Sequence, residues 1–235
     1  MSTFQFKHFS IKQAVSAMKV GTDAMLLGSM AGSSDPSQVL DVGTGTGVIA
    51  LMMAQRFDQA RVDAVEIDSA AFEEAKGNVE TSIFKHRMNI IRSDFLEFST
   101  TKKYDLIVSN PPYFMNSLKN SDRSKTLARH ADDLSAHQFL TKSFELLENG
   151  GQVQVIIPFD LVPSWESAGL ESGLFINHIV EVKGKPSTEV NRAILTFGRE
   201  SRERTEDLFT VRNNDNTYSE EYIELTSEFH DRIPR

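Results

Sequence analysis

Residues 38–47 read Gln-Val-Leu-Asp-Val-Gly-Thr-Gly-Thr-Gly, and a second apolar run begins at Val48. A short apolar run that ends in glycines reads as a buried strand, and the segment 47–57 has the length and composition of a helix. Glycine adopts backbone dihedrals that other residues avoid, and without a Cβ it lets a ligand approach the main chain. The helix start beyond it offers N–H groups with no intrahelical partner. Gly43, Gly45 and Gly47 follow GxGxG spacing, one residue tighter than the GxGxxG dinucleotide fingerprint. An ordinary strand-to-helix turn can have the same composition.

Outward from this stretch, strands and helices alternate. The pattern predicts strand 38–42, helix 47–57, strand 61–67, helix 69–81, and strands 88–91 and 104–109. A polar loop to about residue 133 leads to helix 135–147 and the apolar strand 152–157. Upstream, Phe4 and Phe6 suggest strand alternation, and Thr22 is expected to cap a helix over 23–31. Such alternation predicts an α/β fold, a Rossmann-like doubly wound and mostly parallel sheet with helices on both faces. Strand-like runs 177–182 and 193–197, joined through Lys183-Gly-Lys-Pro186, predict an antiparallel edge. One domain is expected over 1–235, with an N-terminal extension 1–35, a core 36–200 and an acidic C-terminal segment 201–235. Tyr222, Leu225 and Phe229 share one face of an expected terminal helix.

With 235 residues, 40% of them hydrophobic and 25% charged, the chain can bury a sizeable core. It has no cysteine, which removes disulfides, thiolate metal sites and a catalytic thiol together. His8, His86, His130, His137, His178 and His230 are scattered without metal-ligand spacing, so no metal is expected. The opening MSTFQFKHFS lacks a charged leader followed by an apolar core, and no apolar run approaches membrane-spanning length. The expectation is a cytoplasmic protein without a membrane partner. The net charge of −8 is uneven, because residues 200–235 hold ten acidic and five basic side chains. Lys119, Arg123, Lys125 and Arg129 face only Asp122 nearby in sequence, and Lys7, Lys12 and Lys19 are unopposed. A basic rim on an acidic body leaves a nucleic-acid partner open.

In doubly wound sheets ligands bind beyond the carboxyl ends of the strands. Glu66 ends the next strand, 19 residues after Gly47, where its carboxylate can accept both ribose hydroxyls. Asp94 follows the third strand, where it can accept an adenine amino proton beside the aromatic wall of Phe95. Asp41 would repel a pyrophosphate and attract an amino group or a sulfonium. The order DVGTGTG, VEID, SDF, NPPY resembles the class I methyltransferases that use S-adenosylmethionine, over about residues 20–160. That resemblance implies S-adenosylmethionine as cofactor. It assigns Asp41, Gly43, Gly45 and Gly47 to the methionine side, Glu66 to the ribose, and Asp94 with Phe95 to the adenine. It also implies that Lys19-Val-Gly-Thr-Asp23 closes over the methionine end, which brings in Thr22 and Asp23; a capped helix start is the alternative for those two residues.

Ser109-Asn-Pro-Pro-Tyr-Phe114 ends the fourth strand in a way no sheet requires. Proline has no N–H, and it biases Asn110 toward extended backbone. Strand order places Asn110 on the same carboxyl rim as the glycines. An amino group on an aromatic base is a poor nucleophile, since its lone pair is delocalised into the ring. The amide oxygen of Asn110 and the carbonyl of Pro111 can accept its two protons and turn the lone pair toward a methyl donor. The fixed φ of proline holds that carbonyl in aim, and Tyr113 can stack on the base. Resemblance gives the same result: Asn110, Pro111, Pro112 and Tyr113 match the acceptor tetrad of methyltransferases acting on planar amino groups. Adenine N6, guanine N2, cytosine N4 and a protein glutamine all meet related tetrads, and a scaffold that has lost activity would keep the turn.

The flanking segments narrow this choice. Residues 6–13, 17–27 and Thr126-Leu-Ala-Arg-His130 resemble the bacterial tRNA1(Val) (adenine-N6)-methyltransferases almost end to end. The resemblance implies a tRNA partner and methylation of the adenosine 3′ of the anticodon. Release-factor glutamine methyltransferases share the tetrad but carry a helical domain before the glycine loop, and DNA enzymes usually add a recognition domain. Lys119, Arg123, Lys125 and Arg129 are candidate RNA phosphate contacts; a solvated charged loop is the alternative for each.

Overall fold

The computed structural model describes residues 2–13, 20–32, 35–111 and 136–230. A hairpin of β1 (Ser2–Gln5) and β2 (Ser10–Gln13) precedes α1 (Thr22–Met30). The alternating part runs β3 (Gln38–Val42), α2 (Val48–Arg56), β4 (Arg61–Glu66), α3 (Ser69–Glu80), β5 (Met88–Arg92) and β6 (Tyr104–Ser109). After the described part of α4 (136–146) come β7 (Leu147–Pro158), α5 (Val162–Glu171), β8 (Phe175–Lys183), β9 (Val190–Gly198), β10 (Thr205–Thr210) and α6 (Glu220–Thr226).

Eight strands form one sheet in the order β10-β8-β9-β7-β6-β3-β4-β5. Pairing is parallel throughout except where β9 lies antiparallel between β7 and β8. Period-two alternation puts each central strand between two apolar clusters. Val39, Leu106, Val108 and Ile156 face the cluster shared with α1 and α2, while Leu40, Ile107, Val155 and Ile157 face the one shared with α4 and α5. Crossovers from β3 to β4 to β5 run one way from the centre and those from β6 to β7 to β8 run the other. Their helices therefore cover opposite faces, and β3 and β6 meet at the switch point.

The doubly wound sheet agrees with the sequence, and so does the antiparallel pairing of the 177–182 and 193–197 runs. Three details differ. Thr22 is the first residue of α1, and extended Gly21 stands at the cap without a side-chain hydrogen bond. β7 begins at Leu147 and passes through Gly150, whose φ is 82°. β10 forms the outermost strand, parallel to β8, in a stretch with only Phe209 buried.

Candidate active site

At the switch point Ser109 pairs in register with Val42, and the Ser109 hydroxyl donates to the Val42 carbonyl at 2.9 Å. This bond ties the ends of β6 and β3 together and brings Asn110 beside Gly43. Two clefts open there, with Gly43 in the wall of both. The smaller, about 30 Å³, lies among Ala24, Gly45, Val48 and Asn110. The larger, about 240 Å³, is lined by Ile67, Asp94, Phe95, Pro111, Gln138 and Trp165.

The turn between them takes its shape from three left-handed glycines, with φ of 68° at Gly43, 58° at Gly45 and 82° at Gly47. A Cβ at Gly43 would meet no atom of the described residues within 4 Å, and Gly43 lines both clefts. Gly43 and Thr44 donate their N–H groups to the Val65 carbonyl at 2.9 and 3.1 Å, which anchors the turn to β4. Gly45 N–H donates to Glu66 Oε2 at 2.8 Å, and Asp68 N–H donates to Glu66 Oε1 at 2.9 Å. Glu66 is 8% exposed, so it lies mostly beneath the turn, and each of its oxygens keeps a lone pair for a further donor.

Asp41 also lies under the turn. It shares a sheet face with Val39, the face that α2 covers, so its carboxylate points at the start of that helix. Oδ2 accepts from the Thr44 hydroxyl at 2.5 Å and from the Ala50 N–H at 3.0 Å. Oδ1 is buried with no hydrogen-bond partner among the described residues. Burial pushes this carboxyl up from 3.8 to about 7, against the Thr44 and Ala50 hydrogen bonds and with a further push from the charge of Glu66.

The other expected residues fall in different places. Asp94 and Phe95 line the larger cleft together, and Phe95 packs at 5.3 Å from Phe139, which in turn lies 5.7 Å from Trp165. Asp94 Oδ1 accepts from the Leu96 N–H at 2.9 Å. Thr22 is exposed at the first turn of α1. Asp23 pairs with Arg192 Nε at 3.0 Å, at the start of β9. Pro112, Tyr113, Lys119, Arg123, Lys125 and Arg129 lie outside the described residues. Ser109, Gln138, Trp165 and Arg192 were not singled out from sequence. Ser109 lay inside the quoted stretch, but its partner Val42 is 67 positions away, and nothing local marks the other three.

A larger depression of about 380 Å³ opens at the opposite end of the sheet, among Pro36, Asp105 and Asn149. There Asp105 is already committed to Ser37 and Gln38, at 2.7 to 2.9 Å, and the strand-end chemistry is absent. Among the described residues, no group of three His, Asp or Glu side chains could hold a metal ion, and no helix is long and apolar enough to cross a membrane.

Comparison with known proteins adds identity to this geometry. Residues 12–162 match the model of the methyltransferase small domain. A tRNA1(Val) (adenine(37)-N6)-methyltransferase of Phocaeicola vulgatus is 41% identical over 227 residues, covering 97% of each chain. One of Bacteroides thetaiotaomicron is 39% identical, covering 97% of this chain and 96% of the relative. The chain belongs to the tRNA1(Val) (adenine(37)-N6)-methyltransferase family. In this family the switch-point clefts stand within a methyltransferase domain, the class of fold that uses S-adenosylmethionine. The fold is also that of a crystal structure from Agrobacterium tumefaciens described as a predicted O-methyltransferase. The TM-score is 0.67 at 19% identity, with 88% of this chain and 96% of that one covered.

Proposed function

We propose that this methyltransferase, acting as one domain over residues 1–235, transfers a methyl group from S-adenosylmethionine to the N6 amino group of an unpaired adenine in tRNA, the adenosine 3′ of the anticodon of a valine tRNA. The observation that carries this reading is Asn110, held by the Ser109–Val42 bond beside the glycine turn, in a chain so close to enzymes of that name.

Two features support the fit of the cofactor. Asp41 Oδ1, buried under the turn and without a partner among the described residues, gives that end a negative field suited to a cationic group. Gly43, open on both clefts, leaves room for a ligand that spans them. In this reading Glu66 accepts from the ribose, Asp94 and Phe95 receive the adenine, and Thr22 with Asp23 borders the methionine end. When bound, S-adenosylmethionine supplies an electrophilic methyl group on a sulfonium.

The protein's own part is alignment. Asn110 Oδ1 and the Pro111 carbonyl accept hydrogen bonds from the two amino N–H groups and turn the nitrogen lone pair out of the ring plane, toward the smaller cleft; once the nitrogen carries the methyl group it gives up one proton to solvent. Pro112 stiffens the segment, and Tyr113 stacks on the base for about 1 to 3 kcal/mol. Good orientation of two reactants lowers a barrier by roughly 7 to 11 kcal/mol, so no tuned general base is needed. An anticodon-loop adenine is already unpaired, which spares the cost of extruding it from a duplex. Lys119, Arg123, Lys125 and Arg129 then contact phosphate, and the compartment is the cytoplasm, where tRNA is found.

Asn110→Ala is expected to lower turnover by about two orders of magnitude. Calorimetry should show S-adenosylhomocysteine binding unchanged within twofold. Turnover near that of the unaltered enzyme would remove Asn110 from its assigned role.

A further inference from the structure

Asn78, on α3, is a polar residue only 2% exposed, and its amide reaches two parts of the chain that are far apart in sequence. Its Oδ1 accepts from the Lys12 N–H at 2.9 Å. Its Nδ2 donates to the Lys12 carbonyl at 3.1 Å and to the Thr46 carbonyl at 2.9 Å. Lys12 sits in β2, so both backbone groups on the edge facing away from β1 meet one side chain. Thr46 stands in the glycine turn between two left-handed residues, Gly45 and Gly47. On α3 the turn above, Ala75 approaches the turn as well: a Cβ at Gly47 would lie 3.4 Å from Ala75 Cβ.

A buried amide with every polar atom matched is costly to disturb, because each lost bond leaves a desolvated partner. The loss would be felt at both ends. Without Asn78 the Thr46 carbonyl loses the hydrogen bond that holds its peptide plane, and the same peptide carries the Gly47 N–H that closes the turn onto Thr44 at 2.9 Å. The hairpin is tied down elsewhere by apolar packing of Phe6, Phe9 and Ile11, all buried. Gln13 Oε1 also accepts from the Val20 N–H at 2.8 Å, which links the end of β2 to the approach of α1.

We propose that Asn78 is a positioning residue for the cofactor turn: its amide couples the seating of the N-terminal hairpin to the shape of residues 44–47. The inference rests on the glycine turn being the cofactor site. It makes the hairpin, which lines neither cleft, part of what holds that site ready for ligand.

The test uses the full-length protein in three substitutions. Asn78→Ala removes all three bonds. Lys12→Pro removes only the hairpin N–H on the free edge of β2, where proline is tolerated, and leaves α3 intact. Ser82→Ala, at the end of the same helix, removes a buried hydroxyl bonded to Val79 and Phe84 and serves as the control for a general loss of stability. Hydrogen exchange without ligand should rise at least tenfold in residues 43–48 for Asn78→Ala and several-fold for Lys12→Pro. Ser82→Ala should leave those amides unchanged. The calorimetric Kd for S-adenosylhomocysteine should rise at least tenfold in Asn78→Ala while tRNA affinity stays within twofold. Exchange and Kd that move no further in Asn78→Ala and Lys12→Pro than in Ser82→Ala would overturn the coupling. Gly45→Val separates the two readings: strained at a φ of 58°, it should abolish ligand binding, and retained binding would overturn the cofactor-site assignment underneath.

Discussion

Asp41 and Asn110 stand on neighbouring strand ends and divide the work by burial. Burial under the turn makes the charge of Asp41 costly to hold. Its carboxyl titrates near 7 in the fold and near 3.8 when the chain is unfolded, so the native state holds the proton more tightly between those values. Stability of the unliganded protein therefore falls as pH rises from about 4 to about 7, and that contribution stays lost above. Asp41→Asn, which mimics the neutral acid, should flatten this part of the curve. Thermal unfolding from pH 5 to 8 will check it, and equal slopes in the two proteins would count against the burial account. If the cationic end of the cofactor sits at this turn as proposed, it favours the charged form, and binding near pH 7 should release a proton. Calorimetry in buffers of different ionisation enthalpy reads that release directly.

At the level of elements, much depends on how the ends of β3, β4 and β6 are fastened. Ser109→Ala removes the clasp to Val42. It should cost about 1 kcal/mol in urea unfolding and lower kcat, with ligand Kd little changed. Asp68 accepts from the N–H groups of Ala70 and Ala71 as the cap of α3, so Asp68→Ala should cost about 1 kcal/mol. These fastenings also explain what could be read in advance. The strand–helix alternation, the antiparallel edge and the glycine turn were legible because apolar runs, glycines and prolines are local signals. β10 was not, since Thr205–Thr210 is a charged edge strand with one buried residue, and its pairing comes from β8 rather than from its own pattern. The Arg192–Asp23 pair and the Asn78 clamp join segments 169 and 66 positions apart, which no spacing rule reaches. Glu66 and Asp41 were legible as strand-end acids. Their placement beneath the turn, with oxygens already bonded to backbone, was not.

Over the whole molecule, the charge is acidic with basic residues concentrated in a few segments. If Lys119, Arg123, Lys125 and Arg129 meet RNA phosphates, tRNA affinity should fall steeply as salt is raised from 50 to 200 mM, because bound counterions are released on contact. If the glycine turn and Phe95 hold it as proposed, the affinity for S-adenosylhomocysteine should change far less over the same range. Replacing the four basic residues together with glutamine should flatten the salt slope without moving kcat at saturating tRNA. The decisive measurement is the identity of the product. Purified protein should be incubated with labelled S-adenosylmethionine and with valine tRNA from cells lacking the enzyme, then the RNA digested and its nucleosides separated by mass. The account predicts label in N6-methyladenosine, at the position 3′ of the anticodon and nowhere else in that tRNA. Label in a methylguanosine, or transfer to a protein glutamine with none to tRNA, would contradict it.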